Sequence, residues 1–123
     1  MDIVNREDIP AYRTKDGSLV REIVHPDRVP VRNLSLAEAA LEPSASTALH
    51  YHEVSEEVYY VTAGRGLLSV ADEETEIRAG QAVLIPRRAR HRVVNIGDEE
   101  LVFLCVSSPP YGHQDTEIEE DEE

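Results

Sequence analysis

Apolar residues recur along this chain in short runs, many alternating with polar positions, and clusters of Gly, Pro, Asn, Asp and Ser stand between them. A period of two sends alternate side chains to opposite faces of a strand, so the pattern predicts β structure throughout. Residues 12–24 read as a hairpin turning at Lys15-Asp16-Gly17, and His25-Pro26-Asp27 breaks it, since a residue before proline is driven out of the helical region. The segment 31–41, VRNLSLAEAAL, is ambiguous: Leu, Ala and Glu favour helix, while Leu34 and Leu36 alternate as in a strand. Strand is the reading adopted, because every neighbouring element is one and a lone helix would lack a sheet face to cover. Further strands are expected at 48–52, 57–61, 67–71, 75–78, 82–85, 91–95 and 101–106. Short strands with turn residues between them indicate an all-β sandwich or barrel.

Composition narrows the picture. The 123 residues make one domain, with no repeat of fixed period and no linker. Within it, 1–33 reads as N-terminal strands or an arm packing on the body or on a dimer partner, 34–107 as the body, and 108–123 as a C-terminal segment. The formal charge of −13 argues against nucleic acid and anionic membranes as partners. Seven acids, Asp115, Glu117, Glu119, Glu120, Asp121, Glu122 and Glu123, crowd the end, which predicts a solvated, disordered tail. The remaining acidity would suit a salt-rich cytoplasm; equal stability with and without molar salt would count against that. No apolar run approaches a membrane span, and residues 1–10 are too acidic and polar for a signal peptide. With a single cysteine, Cys105, in the apolar run LVFLCV, the expectation is a soluble, cytoplasmic protein.

The chemistry concentrates in HYHEVSEEVYYVTAG, from His50 to Gly64. Residues two apart on a strand lie about 6.6 Å apart on one face, so His50 and His52 can aim at one point. Glu57 follows at an odd offset and joins them only if the connection 53–56 turns; Tyr59 and Val61 then share its face. His91 arrives at the start of a later strand. Three imidazoles and one carboxylate suit a borderline divalent ion, Fe, Mn, Co, Ni, Cu or Zn, one per chain. An octahedral ion held by four protein atoms keeps two positions open, the mark of a catalytic rather than a closed structural site.

These residues resemble the cupin superfamily, its small single-domain members in particular. The first motif, HxHx(3,4)Ex(6)G, is met by His50, His52, Glu57 and Gly64; the second, Gx(5)PxGxxHx(3)N, by Gly80, Pro86, His91 and Asn95. Arg88 stands where the second motif has glycine, and Ser44 where a glycine often precedes the first histidine. The resemblance spans about 34–106. It implies a double-stranded β-helix (jelly-roll) barrel, metal bound inside its mouth by His50, His52, Glu57 and His91, and a homodimer. It implies no single reaction, since cupins include dioxygenases, isomerases, cyclases, oxalate enzymes and ligand sensors.

Tyr59, Phe103 and Cys105 are candidate pocket residues, weighed against plain core packing. Tyr59 and His113 are candidate acid–base groups, and Tyr111 with His113, in SSPPYGHQDT, can fold over the mouth as a lid. Cys105 lacks the base and orienting partner a nucleophile needs. Arg87, Arg88, Arg90 and Arg92 could steer an anion, but a solvated loop balanced against the acidic surface is the favoured reading. His25, beside Pro26, is expected on the surface. The leading functional reading is a metal-dependent enzyme of dioxygenase, isomerase or cyclase type acting on a small oxygen-rich molecule. The alternative is a non-catalytic metal- or ligand-binding module, a sensor or sugar binder.

Overall fold

The computed structural model describes residues 1–119. Two antiparallel sheets face each other. One has the order β1 (Tyr12–Arg13), β2 (Leu19–Val24), β3 (Ser35–Leu41), β10 (Leu101–Ser108), β5 (Glu56–Ala63), β8 (Ala82–Ile85). The other runs β11 (Thr116–Ile118), β4 (His50–His52), β9 (His91–Asn95), β6 (Arg65–Val70), β7 (Glu73–Arg78). This is the all-β jelly roll expected. The ambiguous segment is strand β3, and it pairs with β10 on one side and β2 on the other. Tertiary pairing overrides its helical propensity because alternate residues Ser35, Ala37, Ala39 and Leu41 are buried, a pattern only a strand can satisfy.

The same alternation fills the interior. Val20, Ala37, Ala39, Leu41, Tyr59, Val61, Leu68, Ile77, Ile85, Val93, Leu101 and Phe103 form one apolar cluster between the sheets. Along individual inward faces the polarity changes with depth. On β9, His91, Val93 and Asn95 are buried in turn; on β5, Glu57, Tyr59 and Val61; on β10, Leu101, Phe103 and then Ser107. One end of the barrel is therefore polar inside while the middle is dry, which localises chemistry at that mouth.

Both departures from the motif glycines fall at left-handed positions, Ser44 at φ 73° and Arg88 at φ 71°. The backbone thus keeps the conformation glycine would take without strain, at about 1 kcal/mol per residue for a side chain there. Gly64, at φ 81°, has no such freedom: a Cβ would lie 2.7 Å from the Glu100 carbonyl oxygen.

Two expectations are corrected. Asp115 to Glu119 is not a disordered tail. Asp115 accepts hydrogen bonds from the Val54 and Ser55 amides, and β11 pairs with β4, so the chain returns beside the strand that carries His50 and His52. Charge density predicted solvation, but buried Thr116 and these hydrogen bonds tie the segment down. The remainder of the expected tail, 120–123, lies outside the described residues. Likewise, His25 is not a free surface residue: its Nε2 lies 2.8 Å from the Tyr111 carbonyl oxygen and its side chain is only 16% exposed.

Candidate metal centre

The nitrogens of His50, His52 and His91 lie within 4.8 Å of one another, all three residues buried. His50 and His91 sit opposite each other in the β4–β9 pair, the register that brings the first motif to the second. Each ring is tethered through its other nitrogen. His50 Nδ1 donates to the Ala48 carbonyl oxygen at 2.7 Å, and His91 Nδ1 to that of Ala89 at 2.9 Å. His52 Nδ1 meets Thr116 Oγ1 at 3.3 Å, and the Thr116 hydroxyl donates its own hydrogen to the Gly112 carbonyl oxygen. Its lone pair is then left for His52 Nδ1–H. All three tethers place the proton on Nδ1 and the free lone pair on Nε2.

Glu57 closes one side. Its Oε2 accepts from Ser107 Oγ at 3.1 Å, while Oε1 lies 3.0 Å from His52 Nε2 and 3.4 Å from His91 Nε2. Neither approach has hydrogen-bond alignment. Glu57 Oε1 and His91 Nε2 are accordingly buried without a partner. Buried polar atoms are costly to leave unmade, and here two of them face each other across three convergent imidazoles. A divalent ion of the borderline class fits this donor set and would complete both orphans.

The electrostatics differ from ring to ring. Burial, helped by neighbouring His91, lowers His50 to about 4. Burial also pulls His52 down, but Glu57 beside it outweighs that and leaves it raised. Burial pushes Glu57 up, and the two facing imidazoles reverse this to hold it well below the usual carboxylate range.

Asp16 is a residue the sequence reading assigned only to a turn. Its Oδ2 stands 3.4 Å from His50 Nε2, while Oδ1 accepts from Thr14 Oγ1, Ser18 N and Ser18 Oγ. Thr14 and Ser18 flanking an Asp are an Asx-turn signal, but no local pattern shows that the turn folds over the barrel mouth. Thr116 and Ser107, which orient ligating candidates, were also missed; single hydroxyl residues carry no sequence signature.

Tyr59, Phe103 and Cys105 all line the cavity holding His50, His52 and Glu57, a space of about 40 Å³. Burial raises the Tyr59 hydroxyl and the Cys105 thiol well above their ordinary values, so both stay protonated. His113 is not beside the imidazole cluster. It lines a larger outer cavity of about 740 Å³, where its Nδ1 is 3.1 Å from the Tyr111 hydroxyl. Tyr111 lines both cavities, with its ring centroid 6.2 Å from that of His52. In the arginine loop, Arg88 pairs with Glu53, and Arg90 pairs with Glu119 while stacking over Tyr51. Those two guanidiniums are engaged on the surface.

The Thr116 tether has a measurable consequence. Thr116→Val keeps the volume and removes the oxygen that orients His52, and is expected to lower metal affinity about 10- to 100-fold with little loss of secondary structure. Competition with a chelating indicator reads this directly, and wild-type affinity in the variant would remove Thr116 from the site.

Comparison with known proteins adds the following. The sequence model of the cupin domain matches residues 37–107. An uncharacterized protein, MJ1618, from Methanocaldococcus jannaschii is 46% identical over 89% of this chain and 88% of its own length. Polyketide synthase CurC from Streptomyces cyaneus is 35% identical over 94% of this chain and 77% of its own. Among solved structures, the polyketide cyclase RemF from Streptomyces resistomycificus superposes with a TM-score of 0.77 at 28% identity, covering 100% of this chain and 88% of that one.

Proposed function

We propose, from the premise that this chain belongs to the cupin family, that it is a metal-dependent enzyme acting on a small, oxygen-rich molecule. One observation carries the reading: three tethered imidazoles converge on a buried point beside the orphaned Glu57 Oε1 and His91 Nε2. His50, His52, His91 and Glu57 would hold the ion. Once bound, it supplies a Lewis acid for a developing oxyanion. The chain's own part is to fix the geometry. Ala48, Ala89 and Thr116 orient the rings, Ser107 orients Glu57, and the apolar cluster beneath keeps water from entering from the core side.

Within the dioxygenase, isomerase and cyclase types, the cyclase reading is favoured by similarity to CurC and RemF. The protein is further taken to be cytoplasmic and homodimeric. The single free Cys105 accords with the first. Exposed Val58, Leu84 and Val106, neighbours across β8, β5 and β10, accord with the second, which sedimentation at two concentrations tests. No described helix is long and apolar enough to cross a membrane.

Elemental analysis of protein purified without added metal or tag, followed by turnover of hydroxylated aromatic and polyketone substrates, tests the whole proposal. Turnover lost on chelation and restored by one ion supports an enzyme. Ligand binding without turnover supports the non-catalytic module, and absence of stoichiometric metal after loading refutes both.

Acid should empty the site. Protons compete with the ion for the imidazole lone pairs, so metal occupancy is expected to fall below about pH 6. In the metal-free protein, His50 has the opposite sign to His52. Because its folded pKa, about 4, lies below the unfolded value near 6.5, its contribution is intact above about 6.5 and is lost as pH falls toward 4. His52 partly offsets this, since its contribution is present at low pH and lost as pH rises through its raised value. Full occupancy after dialysis at pH 4.5 would mean a different ligand set.

A further inference from the structure

The inner and outer cavities share Glu22, on β2, and Tyr111. These two side chains stand between the imidazole cluster and the outer cavity. There the Tyr12 hydroxyl donates to Glu22 Oε2 at 3.2 Å, while Glu22 Oε1 is buried with no partner. A buried carboxylate oxygen left bare is destabilising unless something else completes it.

We propose that Glu22 is the proton acceptor of this site, its Oε1 taking the hydroxyl proton of an enolic or phenolic ligand whose oxygen-bearing edge enters the inner cavity. The inference rests on the metal reading above and adds a residue outside both motifs. The transfer breaks one O–H bond in the ligand and forms one on Glu22; no electrons change owner, and the reverse step returns the proton.

Size sets the ligand class. About 40 Å³ admits only a few atoms, whereas about 740 Å³ lies in the range that holds a whole small molecule. The ligand therefore has a narrow, oxygen-bearing edge and a larger body that stays in the outer cavity between Tyr12, Tyr111 and His113.

On the metal reading His50 and His52 are taken by the ion, and Glu57, Tyr59, Cys105 and Tyr111, which also line the inner cavity, are ill suited to accept this proton. Glu57 is a weak base under its two imidazoles, and Tyr59 and Cys105 already hold their protons. Asp16 Oδ1 already accepts three hydrogen bonds, from Thr14 and Ser18. Burial raises Glu22, against the opposing Tyr12 hydrogen bond, making it a stronger base than an exposed carboxylate. Facing it are Tyr12 from β1, His25 and Asp27 from the segment after β2, and Tyr111 and His113 from the C-terminal segment; its partner on β3, Ala37, carries no charge.

The test is a proton count. Zn(II)-loaded protein is titrated with catechol in two buffers of different ionisation enthalpy, and calorimetry gives the protons released per catechol bound. At pH 8 wild type is expected to release one proton fewer than Glu22→Gln, which keeps the shape and the Tyr12 contact. Equal counts from pH 6 to 9 overturn the proposal, as does failure of the Zn(II)-loaded wild type to bind catechol. Should Glu22→Gln not fold, Tyr12→Phe decides: loss of the hydroxyl that steadies the ionised carboxylate moves the onset of proton uptake to higher pH, and no movement overturns the assignment. Failure to load zinc brings down the metal reading itself, and elemental analysis recognises it before any catechol is added.

Discussion

Replacing His91 by alanine is expected to lower zinc affinity by more than about 100-fold and to remove most of the thermal stabilisation that zinc gives the wild type. The estimate extends the roughly 10- to 100-fold cost of disturbing only an outer partner of a metal ligand. His91 is 1% exposed, its Nδ1 is committed to Ala89, and its Nε2 is orphaned opposite Glu57. Nothing else on β9 can take its place, because Val93 and Asn95 lie deeper on the same face. With zinc at 100 times its dissociation constant, a bound ion adds about 2.7 kcal/mol to the wild type, several degrees in Tm for a domain of this size. His91→Ala should keep at most about 0.4 kcal/mol of it. Its metal-free form should still fold, since the apolar cluster is untouched. A zinc-dependent rise in Tm equal to that of the wild type would remove His91 from the ligand set.

The second large effect is on stability rather than chemistry. Asn95→Ala is expected to destabilise the protein by about 3 kcal/mol, within the range for stranding buried polar groups. The Asn95 side chain is 1% exposed and acts as a three-way clamp: Nδ2 donates to the Leu41 and Glu99 carbonyl oxygens, and Oδ1 accepts from the Gly97 amide. It thus joins the end of β3 to the turn between β9 and β10, at the end of β9 away from His91. Alanine leaves two carbonyls and one amide short of partners, the Leu41 carbonyl in the buried interior. Metal affinity of the folded fraction should stay near wild type, which separates this role from a ligand role. A loss below about 1 kcal/mol in urea melts, or a loss of metal with intact stability, would contradict it.

These two residues show what could be read directly. His91 and Asn95 share a face because a strand has period two, so one belongs to the mouth and the other to the base wherever the strand sits. The same arithmetic places Glu57, Tyr59 and Val61 on one inward face and requires the connection before Glu57 to turn. Segment 31–41 is less legible, since its local propensity points to helix and only its neighbours favour a strand. Asp115 to Glu119 was misread because charge density reports solvation of an isolated segment and says nothing of a strand waiting to pair. His25 was misread for a related reason: its acceptor, the Tyr111 carbonyl, lies 86 residues away.

The amino-acid sequence by itself determined the fold class, the inward sets of side chains and the four residues of the imidazole–carboxylate cluster, because each follows from strand periodicity and fixed motif spacing. Only the tertiary structure decided what surrounds that cluster. Strand pairing over long separations brings Thr116 to His52, Ser107 to Glu57 and Asp16 to His50, and sets Glu22 in the lining of two cavities. Such contacts depend on register and on where the chain ends return, and neither leaves a period or a spacing in the residues themselves.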